Sequence, residues 1–97
     1  EEPPFMQPGL GASTVDWIVD HDLAVVGCDN AAVEVIPFDG PFLSVHIELL
    51  VKRGITLLEH LVLTPMCADG VTECFLSVAP LLVTGGTGSP INPVAVA

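Results

Sequence analysis

The 97-residue sequence has few charged residues, and hardly any of them is basic. Charged residues make up 14 % of the chain, against about 25 % in a typical soluble domain. Apart from histidine, Lys52 and Arg53 are the only cations, and the net charge is -10. Nucleic acids and anionic lipids attract basic surfaces. We therefore expect neither nucleic acid nor membrane among the partners of this protein.

Long apolar runs and cysteine pairs are missing as well. The apolar runs, such as FLSVAPLLV, are broken by Pro80 or by polar residues and fall short of the roughly 18 residues that span a bilayer. Cys28, Cys67 and Cys74 form neither a C-x-x-C pair nor an even set, which argues against a zinc finger and a disulfide scaffold. We expect a reducing, cytoplasmic setting, with Cys28 a small buried hydrophobe rather than a nucleophile.

Hydrophobic residues, by contrast, make up 51 % of the chain. A domain of about this length buries only about 60 to 70 % of the surface that its unfolded chain exposes. A chain this short and this apolar has more nonpolar surface than it can hide alone. We expect the excess to be buried against other polypeptide, either in a homo-oligomer or against a complementary chain.

Turn-forming residues divide the sequence into short elements of a mixed α/β fold. Three prolines and two glycines in residues 1–11 predict a loop. A second segment, residues 44–52, is predicted to be a helix that Ser44 caps and Gly54 ends. The other predicted elements are a helix over residues 14–20, a single helical turn in TPMCADG, and strands in DLAVVGCDN, ITLLEHLVL, TECFLSVAPLLVTGG and the C-terminal tail.

Two short motifs do not support catalysis. The stretch TGGTGSP lacks the Gly-Lys-Ser/Thr ending of a phosphate-binding loop, and a turn between strands is the simpler interpretation. Ser77 has no G-x-S-x-G surroundings. Of the histidines, His21 is expected in a polar turn, and His60 on the opposite face of a strand from Glu59.

His46 and Glu59 are the candidate functional residues. His46 falls in the first turn of the predicted helix, where its ring is a usable metal ligand or base. Glu59 lies among leucines, and a buried carboxylate is costly unless it is paired or bound to metal. A divalent-metal site usually needs three or four protein ligands. From spacing alone, a hydrogen-bonded structural role for both residues is favoured over a metal site.

The order of several segments carries a family resemblance. The stretches VVGCDNAAVEV, PFLSVHIELLVKRGITLLEHL, APLLVTGGTGSP and PVAVA follow one another as in the C-terminal part of the cyclase family of metal-dependent hydrolases. This family includes bacterial kynurenine formamidase and isatin hydrolase, and the chain resembles it from Pro8 to Ala97. The most specific part is the series His46, Leu49-Leu50, Gly54-Ile55 and Leu58-Glu59. The interval from His46 to Glu59 is about one residue longer than in kynurenine formamidase-like members.

The resemblance implies a swivelling β/β/α fold, with residues 1–97 forming roughly the C-terminal half of one cyclase-like domain. It implies that His46 is a metal ligand or a nearby catalytic base, that Glu59 is a metal ligand, and that the metal is zinc or manganese. The implied reaction is attack by metal-activated water on the amide or cyclic amide bond of a small molecule. The family's N-terminal motif H-x-G-T-H-x-D-x-P-x-H is missing here, so activity would need a complementary chain or segment. The alternative is a non-catalytic structural or interaction subunit that keeps the fold without the chemistry.

Overall fold

The computed structural model describes residues 5–97 and has a mixed α/β fold. The chain divides into two compact units, Glu1–Leu63 and Thr64–Ala97. The part of the predicted N-terminal loop that lies within residues 1–4 falls outside the described residues. Residues 5–11 form no helix and no strand, although Gln7 and Leu10 make isolated β-bridges.

The first unit contains one helix, two short strands and a π-helical segment. Helix α1 spans Thr14–Asp20, strand β1 spans Val25–Gly27 and strand β2 spans Thr56–Leu58. The strands pair in parallel, with Val25 opposite Thr56 and Gly27 opposite Leu58. A parallel pair needs a long crossover connection, and this crossover contains the π-helix His46–Val51.

The core of the first unit lies between α1 and the π-helix. Val15 and Ile18, three residues apart on α1, face Val45 and Leu49, which are four residues apart. These spacings place each pair on one side of a helix. Ile55, just before β2, completes the cluster. The buried side chains thereby hold the beginning of the π-helix at a fixed place in the unit.

Residues 5–11 lie against residues 33–36. Gln7 bridges Ile36 in antiparallel orientation and Leu10 bridges Glu34 in parallel orientation. Gly9 lies so close that a β-carbon at this position would overlap the backbone of Glu34 and Val35. The absence of a side chain at Gly9 is therefore what allows this close approach.

The second unit consists of one helical turn and a β-hairpin. Helix α2 spans Thr64–Ala68, and strands β3, Phe75–Pro80, and β4, Ile91–Val96, pair in antiparallel orientation from Phe75↔Val96 to Pro80↔Ile91. Pro80 is the last residue of β3, and both strands of a two-stranded sheet are edge strands, in which a proline is tolerated. None of residues 64–97, all of which the structure describes, is buried. The hairpin is regular in its pairing but encloses no core.

Each predicted helix and strand is found within its predicted stretch, but the strands are shorter than predicted, and one helix differs in type. Residues 44–53 are helical, as predicted for residues 44–52, but their central part is a π-helix rather than an α-helix. Gly54 follows with φ +67°, a left-handed conformation that ends helices. Within the described part of the chain, no helix has both the length and the hydropathy needed to cross a membrane.

Candidate functional site

A buried carboxylate lies at the beginning of the helical segment. Only 2 % of the Glu34 side chain is exposed. Its Oε1 accepts a hydrogen bond from the backbone N–H of Val45 at 2.9 Å, and its Oε2 accepts one from the backbone N–H of His46 at 3.0 Å. The first N–H groups of a helix have no partner within the helix. Glu34 supplies those partners and places a negative charge where the helix dipole favours it.

The predicted cap is therefore wrong. Ser44 was expected to cap this helix, but its Oγ is buried and has no hydrogen-bond partner among the described residues. The backbone N–H groups of Val45 and His46 are already occupied by Glu34. The helix is therefore capped by the carboxylate of Glu34, ten residues before Ser44, and not by the Ser44 hydroxyl.

The structure brings the two predicted site residues together. His46 begins the π-helix and Glu59 directly follows β2, and His46 Nε2 lies 3.3 Å from Glu59 Oε1. The side chains are 21 % and 38 % exposed, respectively. On its other side, His46 Nδ1 lies 2.7 Å from Glu34 Oε2. The imidazole is thus held between a buried carboxylate and an exposed one.

The expectation that Glu59 is buried is also wrong. Glu59 lies just past the end of β2, where Leu58 is the last buried residue of the strand, so its carboxylate reaches solvent. The buried glutamate is instead Glu34, which the sequence pattern did not predict. Its only signal in the sequence is a single glutamate between the apolar residues Val33 and Val35.

The other histidines lie apart from this site. His21 is exposed, and its ring stacks on Trp17 with the ring centroids 3.9 Å apart. His60 is exposed and has φ +54°. Within the described residues, neither makes a hydrogen bond to His46 or Glu59. The exposed His21 agrees with the expected polar turn. The expectation that His60 lies in a strand, on the opposite face from Glu59, is wrong because β2 ends at Leu58.

The two strong cations, Lys52 and Arg53, both pair with Glu48. Lys52 Nζ lies 2.6 Å from Glu48 Oε1, and Arg53 Nη1 lies 2.9 Å from Glu48 Oε2. These hydrogen bonds, first that from Lys52 and then that from Arg53, hold the pKa of Glu48 below its ordinary value. The sequence contains no further Lys or Arg. His46 is therefore the only basic side chain that the described structure places beside Glu34 and Glu59.

His46 and Glu59 fit part of a metal site. An imidazole nitrogen and a carboxylate oxygen are donors that suit zinc and manganese. Among residues 5–97, however, no group of three or more His, Cys, Asp or Glu side chains is arranged to hold a metal ion. Since a complete zinc site takes at least three protein ligands, these two residues would need donors from elsewhere.

Cys28 has the environment of a structural thiol. It is half-buried, and burial, with the nearby charge of Asp29 as a smaller cause, raises the pKa of its thiol. Because the thiolate is the reactive form, Cys28 is a poor nucleophile, in agreement with the prediction. Cys67 and Cys74, in the second unit, are exposed.

Comparisons of this chain with protein-family models, with curated proteins and with solved structures find no match. A functional proposal therefore depends on two observations, the sequence resemblance and the arrangement of Glu34, His46 and Glu59.

Proposed function

We propose that this chain is the C-terminal half of a metal-dependent amide hydrolase of the cyclase family. The proposal includes the swivelling β/β/α fold, a cytoplasmic setting, and a complementary N-terminal chain or segment that brings the histidine-rich motif. The observation that carries it is the 3.3 Å between His46 Nε2 and Glu59 Oε1. These are the two residues that the resemblance assigns to the metal, and they lie thirteen positions apart in the sequence.

The charges around His46 support a cation at this place. Glu34 and Glu59 are both within hydrogen-bonding distance of the same ring, while Lys52 and Arg53 are held by Glu48. Two carboxylates beside one imidazole form a negative site, which a bound cation would stabilise. A divalent metal ion, zinc or manganese, fits this need.

The π-helix supports the register of the resemblance. In a π-helix each N–H bonds to the carbonyl five residues back instead of four, so each turn holds about one more residue. The interval from His46 to Glu59 is about one residue longer than in kynurenine formamidase-like proteins, and His46–Val51 is π-helical. The longer interval is thus accommodated within the helix, and His46 and Glu59 can still meet.

Each residue of the pair has a distinct role in the proposed reaction. Glu59 offers an exposed carboxylate oxygen as a ligand. His46 offers Nε2, either as a ligand or as the base that takes a proton from the attacking water. When bound, the metal supplies the Lewis acidity that activates water for attack on the carbonyl of a small amide or cyclic amide.

The proposal is tested by measuring bound zinc and manganese, together with hydrolysis of a formamide and of a lactam. The measurements are made on this chain alone and on the chain paired with an N-terminal segment that carries the histidine-rich motif. We expect the pair to take up metal and to hydrolyse one of the substrates. A pair that binds no metal would contradict the proposal.

Matched variants show whether the metal depends on the assigned residues. We expect Glu59→Gln and His46→Gln to weaken metal binding by the pair by at least about tenfold, since even outer-shell changes cost that much. The controls are Glu73→Gln, an exposed glutamate of the second unit, and His60→Gln, an exposed histidine. Both controls are expected to leave metal content unchanged.

The second candidate function is a non-catalytic structural or interaction subunit. The observation that favours it is the β3–β4 hairpin, in which Phe75 is 71 % exposed and Val96 57 % exposed. Exposed apolar surface of this kind is typical of protein–protein contacts, including those of a homo-oligomer. Under this alternative, Glu59→Gln would leave the metal content of the paired chains unchanged.

A further inference from the structure

Glu34 is held in place through its backbone. Its segment bridges Leu10, with Leu10 N–H donating to Val33 O at 2.9 Å and Val35 N–H donating to Leu10 O at 3.0 Å. The side chain of Gln7 adds a hydrogen bond from Nε2 to Glu34 O at 2.7 Å. Because the backbone is tied on the side of residues 5–11, the carboxylate has little freedom to move away from the helix that it caps.

The carboxylate of Glu34 also fixes the orientation of the His46 ring. Oε2 lies 3.0 Å from the backbone N of His46 and 2.7 Å from Nδ1 of the same residue. Glu34 Oε2 thus contacts both the backbone N–H and the imidazole ring of His46. This double contact restricts both side-chain torsions of His46, a restriction that a contact through the ring alone would not impose.

The same contact decides which ring nitrogen carries the proton. An ionised carboxylate has only acceptor oxygens, so a hydrogen bond between Nδ1 and Glu34 Oε2 requires the proton on Nδ1. In the neutral ring, Nε2 then bears a lone pair. Nε2 faces Glu59 Oε1 at 3.3 Å, and two acceptors at this distance attract only through a positive species between them, either a second ring proton or a bound metal ion.

The geometry points to Glu34 as the positioning residue of His46: it keeps a proton on Nδ1, which makes the neutral ring the Nδ1–H tautomer, and it turns Nε2 toward Glu59. The assignment of the tautomer stands on the hydrogen bonds alone. Only the use of Nε2 as a metal ligand or base rests on the proposed function. Ligand histidines are commonly oriented in this way by a carboxylate on their other nitrogen.

The tautomer is measured directly by long-range ¹H–¹⁵N correlation spectra of the metal-free chain labelled in its histidine rings. At a pH at which the ring is neutral, we expect His46 to show a protonated Nδ1 and a bare Nε2. A neutral ring protonated on Nε2 alone would overturn the assignment. This measurement needs no variant and no metal.

Glu34→Gln tests the role of the charge, because the carboxamide keeps the shape and offers one acceptor oxygen in place of two. We expect loss of the single Nδ1–H form and, in the paired chains, roughly 10- to 100-fold weaker zinc binding. Glu59→Gln is the matched control and should leave the His46 tautomer unchanged. Retention of a pure Nδ1–H form in Glu34→Gln would contradict the role of Glu34. If the wild-type tautomer is as expected but the wild-type pair binds no metal, the proposed function fails while the assignment of Glu34 stands.

Discussion

The two units of this chain differ in how hydrogen bonding and burial are combined. Residues 5–63 have strands of only three residues, yet every buried side chain of the described structure lies there, including Leu49 with no exposed surface. Residues 64–97 have strands of six residues in continuous register, yet none of their side chains is buried. Regular pairing and a hydrophobic core are therefore separate properties. A two-stranded hairpin without a core is at best marginally stable in water, so we expect strand pairing alone to contribute little to the stability of the second unit.

The largest contrast is expected from truncating one leucine in each unit. Leu49→Ala leaves a cavity in the core beside α1 and should reduce the free energy of unfolding by about 2 to 5 kcal/mol. Leu82 is fully exposed in the second unit. Leu82→Ala should therefore reduce the free energy of unfolding by less than about 0.5 kcal/mol. Denaturant titration followed by fluorescence of the single tryptophan, Trp17 in α1, measures both. Equal losses would show that the core has been wrongly located.

A smaller effect is expected from adding a methyl group at a glycine of each unit. Gly9→Ala would force the N-terminal segment away from the backbone of Glu34 and Val35, and overpacking of this kind typically costs about 1 to 3 kcal/mol. Gly88→Ala is the matched control, because a β-carbon there meets no atom within 4 Å. The measurement is the same denaturant titration. An unchanged midpoint for Gly9→Ala would contradict the close approach of residues 5–11 to residues 33–36.

The smallest difference between the units is expected in the reactivity of their cysteines, which can be measured without any substitution. At a pH below 9.0, the ordinary value for the thiol pKa, Cys28 should react with an alkylating reagent several-fold more slowly than Cys67 and Cys74. The reason is that burial raises its pKa and lowers the thiolate fraction. Mass spectrometry of the labelled peptides gives the three rates, and they should converge in denaturant. Since the raised pKa also means that the folded chain holds this proton more tightly, stability should fall as the pH rises above 9.0.

Most of the elements could be predicted because their signals are local. Helix α1 was predicted over residues 14–20 and is found at Thr14–Asp20, since turn residues and apolar spacing mark both of its ends. The stop at Gly54 follows from the left-handed conformation that glycine adopts readily. The parallel pairing of β1 with β2 was not predicted, because Val25 and Thr56 meet across a crossover that local patterns do not describe. The π-helix was missed because α- and π-helices place apolar residues at similar short intervals.

The candidate site was predicted in part. His46 and Glu59 were named, and the structure places them together, although Glu59 is exposed rather than buried. Glu34 was not predicted because the usual N-cap is the residue next to the helix, here Ser44. The capping carboxylate lies ten positions earlier on a segment without regular structure, and only the folded chain shows that it reaches the helix.

The uneven distribution of charge has a consequence at long range. Ten of the twelve acidic residues lie within residues 1–63, whose only strong cations are Lys52 and Arg53, so the net charge of the first unit is strongly negative. A field of this sign attracts diffusing cations toward the first unit and repels anions. Because the Debye length is about 10 Å at 0.1 M salt, this attraction is strong in dilute buffer and short-ranged in the cell. We therefore expect a higher local concentration of cations around the first unit, over a distance that ionic strength sets.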